Sequence, residues 1–183
     1  MRNPVYRDNR ENILRASFEY LTANGLENIS MRELCKGIGL SIGSVYYWFD
    51  NKENLIADTA EYGLMMVSDD IFESVFNNVN DFEEVLEGCF SKIDHRKQEL
   101  RVIYQLACSS DYGAAIRKFT AEFDDVYNEY SAKLADNLGY DAEYVRPLFF
   151  MFVSAVLDYA IWEDKEKTRI QLDCIYNCLK KGI

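Results

Sequence analysis

Apolar side chains return every three or four residues along most of this chain, the interval that lines one face of a helix. Between Asp8 and Asn24 the stripe is Leu14, Phe18 and Leu21, with Ile13 and Ala16 beside it. Asp8 or Asn9 can cap its start, and Asn24-Gly25 ends it, because glycine accepts the left-handed conformation that closes a helix. A second helix opens on Ile29-Ser30-Met31-Arg32-Glu33-Leu34. Ser30 and Glu33 have the spacing of a capping box, in which each side chain satisfies an amide near the other, and Ile29 and Leu34 stand where a hydrophobic staple would. Gly37-Ile38-Gly39 makes the next turn. Ser41 then caps a third helix, with Leu40 and Val45 as a second staple, and this helix closes at about Phe49. Asp50 or Asn51 caps a fourth, carrying Leu55, Ile56, Ala60 and Leu64. Two short capped helices joined by a glycine turn, behind a longer amphipathic one, describe a three-helix DNA-binding head.

Helical periodicity continues beyond Asn51, with breaks expected near 77–81, 94–96, 109–112, 138–141 and 163–167. Residues 56–183 then read as about six helices, and the whole chain as an all-α protein of about nine. Only two prolines and nine glycines interrupt it, too few for a many-turned β-fold. Leu148 to Trp162 is apolar on nearly every face and must be covered all round. The last helix, Thr168 to Leu179, offers Leu172, Ile175, Tyr176 and Leu179 as a stripe. We divide the chain into a DNA-binding domain, 1–52, and a larger helical domain, 53–183.

Charge first argues against this reading and then supports it. The net charge is −11, a poor match to a polyanion. Residues 1–55, however, hold seven Lys/Arg and seven Asp/Glu, leaving 13 and 24 for the remainder. All the excess acid lies in the second part, so the two parts do different jobs. Five scattered cysteines suit a reducing cytoplasm. Cys174 and Cys178, four apart, read as buried small hydrophobes, since the single histidine, His95, is far away and no other close cysteine pair completes a metal site. With no nucleophile motif and no glycine-rich phosphate loop, nothing points to an enzyme, a metal or a cofactor. The N-terminus lacks a secretory apolar segment, and the run from Leu148 to Ile161 is shorter than a bilayer requires. A cytoplasmic protein with no membrane partner is the expectation.

The stretch Ile13 to Leu55 resembles, without a gap, the signature of the TetR family of transcriptional regulators. The residues that carry it are Ile13-Leu14-Arg15-Ala16, Gly25, Ser30, Ser41-Ile42-Gly43-Ser44-Val45-Tyr46-Tyr47-Trp48-Phe49 and Lys52-Glu53-Asn54-Leu55. A capping serine taken alone is only a cap, and a tyrosine on a short helix is more often packing. The register match is what turns Ser30, Met31, Ser41, Ile42, Gly43, Ser44, Tyr46, Tyr47, Trp48 and Lys52 into expected DNA contacts. Each also has a physical reading. Val45 and Phe49 must face a core of Phe18, Leu21, Leu34 and Ile38, which turns Ile42, Ser44, Tyr46 and Tyr47 toward the major groove. Gly43 allows close approach. Ser30 and Ser41 can set amides and hydroxyls against phosphates. Lys52 opens the fourth helix where, as in the family, it reaches a phosphate. Three positions depart from the pattern. Trp48 replaces a usual histidine, Ile42 fills a slot often polar and so suggests a contact to thymine, and Gly37-Ile38 replaces a small alanine pair.

For the second part the resemblance implies a four-helix dimer interface and a ligand pocket. Interface candidates on the last two helices are Phe149, Val153, Val156, Leu172, Ile175, Tyr176 and Leu179. A homodimer would place one head on each half of a palindromic operator. Pocket candidates are Tyr62, Met65, Met66, Phe90, Tyr104, Cys108, Phe119, Phe123, Tyr127, Phe152, Asp158 and Trp162, although core packing serves for any one of them. With 13 Tyr and 11 Phe the interior suits an apolar or planar small-molecule effector. Asp158, set in an apolar helix, fits either a structural hydrogen bond or a counter-charge for a cationic ligand. The implied function is a repressor released from operator DNA by a ligand. The alternative is a regulator of the same fold that needs no ligand or answers to a protein partner.

Overall fold

The computed structural model describes residues 10–26, 29–78, 81–116 and 120–181, with side chains at 73–78 and 120–123 outside the description. Within these residues there are nine helices and no strand. They are α1 (Arg10–Asn24), α2 (Met31–Gly37), α3 (Ile42–Tyr46), α4 (Lys52–Asn78), α5 (Phe82–Cys108), α6 (Gly113–Ile116), α7 (Thr120–Leu138), α8 (Ala142–Trp162) and α9 (Lys165–Lys181). The expected caps Asp8 and Asn9 lie outside the described residues. The chain forms two compact units, one of residues 1–66 with 102–119 and one of 67–101 with 120–183.

The first unit is built from the local signals of the head. Ile13, Leu14, Phe18 and Leu21 of α1 are buried. Gly25 closes that helix at φ +77°, its amide donating to the Leu21 carbonyl at 2.8 Å. The capping box of α2 is formed in full. The Glu33 amide donates to Ser30 Oγ at 3.2 Å, while the Ser30 amide donates to Glu33 Oε2 at 2.9 Å. After α2, Gly39 at φ +72° lets the Leu40 amide reach back to the Cys35 carbonyl at 2.9 Å, the six-to-one bond of a Schellman turn. Asn51 caps α4 by accepting from the Asn54 amide at 2.7 Å. Fifty residues in three short helices bury too little apolar surface to stand alone. The head's core therefore extends through Leu55, Ile56 and Ala60 of α4 to Val102, Leu106, Tyr112 and Ile116. Gly63 is part of that packing, since a Cβ there would come within 2.2 Å of the Phe18 ring.

The second unit is centred on α8, with α7 and α9 packed along it. Asp141 caps α8 by accepting from the Glu143 amide at 2.8 Å. At its other end Glu163 adopts a left-handed φ of 56°. Arg101 Nε donates to the Ala160 carbonyl there at 2.7 Å, and Arg101 and Lys97 both bind the Glu163 carboxylate. These two cations hold the Glu163 carboxyl below the usual carboxylate range, the Arg101 bond contributing most. Inside, Phe72 meets Tyr130 and Phe149 at ring separations of 4.6 and 5.0 Å. Tyr159 donates to Asp94 at 3.0 Å, and its pKa is pushed up to about 12, burial first and Asp94 second.

Three expectations need correction. No break occurs at 94–96, because α5 runs unbroken from Phe82 to Cys108. Leu86, Cys89, Phe90, Ile93, Leu100, Ile103 and Leu106 keep one stripe buried, and the polar trio is simply the solvent side, where Arg96 binds Asp70 at 2.9 Å. Cys174 is exposed and Cys178 half-buried, so neither is a core residue. Finally, α8 has a mean hydropathy of 1.4 over its richest 18-residue stretch, and by length and composition it could cross a membrane. Its buried face of Val145, Phe149, Phe152, Val156 and Tyr159 makes it the core helix of its unit instead.

Candidate nucleic-acid interface

Helix α3 holds its outer face by anchoring the inner one. Val45 is fully buried and Phe49 nearly so, and the Val45 carbonyl accepts from the Trp48 and Phe49 amides, both at 3.0 Å. That tight turn leaves Ile42, Gly43, Tyr46, Tyr47 and Trp48 exposed, with Ser44 half-buried beside them. Tyr47 stands out furthest, at 79% exposure. Its ring meets Trp48 edge-on with centroids 5.2 Å apart, which stiffens the pair. A Cβ at Gly43 would find only Ser41 Oγ, at 3.9 Å, so the helix surface is flat there.

The remaining expected contacts are less free. Ser41 Oγ accepts from the Ser44 amide at 3.0 Å and shares a hydrogen bond with Ser44 Oγ at 2.9 Å. Ser30 Oγ donates to Glu33 at 2.7 Å. Both hydroxyls are thus already used within the caps. The Met31 side chain is 8% exposed and belongs to the head's core, so only its backbone can face DNA. Lys52 is tethered. Its Nζ donates to the Ile29 carbonyl at 3.1 Å and lies 5.5 Å from the centre of the Tyr112 ring. Tyr112 is the first cause of a pKa held above the ordinary lysine value. Arg32 and Lys36 on α2 are exposed cations.

In the second unit the structure redistributes the remaining candidates. An apolar cavity of about 50 Å³ is lined by Phe82, Val85, Leu86, Leu134, Leu148, Phe149, Phe152, Leu172, Ile175, Tyr176 and Leu179. Of the expected pocket residues only Phe152 lines it, whereas five expected interface residues do: Phe149, Leu172, Ile175, Tyr176 and Leu179. Val156 is also buried within the protomer and Val153 half-buried. Phe90 is core, its ring 4.8 Å from Tyr159, and Tyr127 packs 6.2 Å from Phe72. Tyr104, Cys108 and Trp162 are exposed. Tyr62, Met65 and Met66 are half-buried residues of the first unit. Phe119 and the Phe123 side chain lie outside the described residues. Asp158 binds Lys167 at 2.9 Å, which already supplies its counter-charge.

Of the outward side of α8 and α9, the sequence expectations include Asp158 and Ile175 and none of the other lining residues. Phe150, Met151, Ser154, Asp158, Ile170 and Cys174 line an open groove of about 540 Å³. A signal for it existed. Ser154 and Asp158 interrupt the apolar run from Leu148 to Trp162, and with Met151 and Trp162 they share one face at three- and four-residue spacing.

A short helix presented on a three-helix head, with a glycine turn before it and an aromatic outer face, defines a helix-turn-helix DNA-binding regulator. Residues 13–59 match the model of bacterial regulatory proteins of the tetR family. The match covers the head and the first residues of α4. No curated protein matches the chain. Among solved structures it is similar to a TetR transcription regulator from Haloarcula marismortui ATCC 43049, at 17% identity and TM-score 0.66, covering 97% of this chain and 99% of that one. It is similar to a transcriptional regulator from Rhodococcus sp. Rha1, at 22% identity and TM-score 0.61, covering 94% and 96%. A third is the multidrug binding protein EbrR complexed with imidazole, at 19% identity and TM-score 0.64, covering 91% and 93%. At such identities the likeness carries the fold alone.

Proposed function

We propose that the protein is a homodimeric repressor that places one head on each half of a palindromic operator and is released by a small apolar or aromatic ligand. In this reading residues 1–52 read the DNA, and residues 53–183 pair the subunits and receive the signal. The outward face of α3 carries it: Ile42, Tyr46, Tyr47 and Trp48 stand exposed on a helix whose Val45 and turn residue Phe49 are fastened into the core. Pairing is supported by the outward groove of α8 and α9, where Met151 and Ile170 are left in solvent. A ligand is supported by analogy with the multidrug binding protein EbrR complexed with imidazole.

A second reading, regulation without a ligand, is favoured by one observation. The cavity of about 50 Å³ is far below the roughly 300–1,000 Å³ of ordinary ligand sites. Selecting duplexes from a random library with the purified protein tests the core of the proposal. The expected product is an inverted repeat, its half-sites about 10–10.5 base pairs or a multiple apart, binding two subunits. Enrichment of single half-sites would overturn the palindrome. A screen of small arenes against the protein–operator complex separates the two ligand readings, since release by none of them favours the second.

A further inference from the structure

We propose that α3 reads thymine through its 5-methyl group, with Ile42 as the specificity-determining residue, so that operator half-sites carry a T·A pair where Ile42 faces the groove. This rests on the reading of α3 as the DNA-contacting helix.

The argument begins with what the exposed face lacks. Guanine is read by Arg or Lys against O6 and N7, adenine by Asn or Gln against N6 and N7, and cytosine by Asp or Glu accepting from N4. Residues 41–49 contain none of these six residue types. The two serine hydroxyls are already joined to each other, and Ser41 also accepts from the Ser44 amide. Hydrogen bonding from this face is left to the Tyr46 and Tyr47 hydroxyls and the Trp48 indole N–H. These are single groups that cannot make a bidentate contact. The one remaining feature of a base edge in the major groove is apolar, the thymine methyl.

Ile42 is placed to use it. It is 38% exposed at the first position of α3, beside Gly43, whose missing side chain brings the helix surface close to whatever docks. Its exposure is not an isolated accident of the surface. Four of the eight large hydrophobic side chains exposed among the described residues fall between Ile42 and Trp48, so the patch is clustered. Set against cytosine, the same isoleucine would cover the N4 amino group and leave its donor without a partner. Set against adenine or guanine, it would strand N7 in the same way. Thymine is the base that an aliphatic side chain penalises least and rewards most.

The test uses duplexes enriched from a random library by the full chain, prepared again with deoxyuridine at one thymine at a time. Uracil differs from thymine only by the methyl. At the Ile42-facing position the swap should weaken binding about fourfold, the worth of one buried methyl-sized group. Ile42→Ala should still bind but lose the thymine–uracil difference, and Ile42→Val should keep most of it. Circular dichroism should show both variants folded, as befits an exposed position. The proposal is overturned if no thymine in the enriched site is sensitive to the swap, or if the sensitivity persists in Ile42→Ala. If no duplex is enriched at all, the reading of α3 as the DNA-contacting helix falls as well.

Discussion

Two surfaces of this protein leave large hydrophobic side chains in water, and they do so in different ways. On α3 and the turn that closes it they are Ile42, Tyr46, Tyr47 and Trp48; on α8 and α9 they are Met151, Trp162 and Ile170. Three of the four on α3 end in a hydroxyl or an indole N–H. A surface meeting a wet, hydrogen-bonding groove gains from such tips, because each can take a phosphate or a water as partner. Of the three on α8 and α9 only Trp162 carries a donor; Met151 and Ile170 have none, and Phe150 beside them has no polar atom. The charges near them, Asp158 and Lys167, are already paired with each other. An apolar centre edged by the Asp158–Lys167 pair suits a contact with protein, and Gln171 Oε1, buried in the same groove wall with no partner, is left to accept a hydrogen bond there. Exposed apolar area alone does not name a partner, but the polar tips within it do.

The largest expected effect tests whether the two sides of α9 have been told apart. Leu172 is buried against the cavity, so Leu172→Ala should lower the unfolding free energy by about 2–5 kcal/mol in urea titrations. Ile170, two residues away and 65% exposed, should behave in the opposite manner. Ile170→Glu should leave the helical circular dichroism intact while light scattering at micromolar protein reports monomers. A dimeric Ile170→Glu would move the interface to another surface.

On the DNA side, Tyr47→Ala should weaken operator binding by about 1–3 kcal/mol if the ring reads a base edge. Unfolding should be unaltered, since the side chain stands in solvent. A loss of stability without a loss of affinity would make Tyr47 a packing residue, which its exposure argues against.

Lys52 gives the smallest and most divided signal. Its Nζ is bound to the Ile29 carbonyl, so Lys52→Met should cost about 0.5–1.5 kcal/mol of stability. If DNA draws the ammonium away from that carbonyl, the slope of log affinity against log salt should also flatten by about one unit. An unchanged slope with reduced stability would mean that Lys52 holds the head together and never touches a phosphate.

What the sequence determined by itself is local. The capping box of Ser30 and Glu33, the Ser41 cap and the turns at Gly25 and Gly39 all depend on neighbours within five residues. Spacing is enough to read them, and they set the helix boundaries of the DNA-binding head. Three features required the tertiary structure. The polar run at 94–96 looks like a linker until Asp70, on another helix, is seen to bind Arg96. Lys52 looks free until Ile29 and Tyr112 are seen beside it. A helix as apolar as the Leu148–Trp162 part of α8 has no periodicity strong enough to say which face turns inward, so five of the seven residues expected at the interface line an interior cavity, Ile175 bordering the outward groove as well. The physical reason is common to all three. Caps and turns satisfy backbone groups of their own segment, whereas burial and ion pairing are settled by whichever residues distant in sequence arrive alongside.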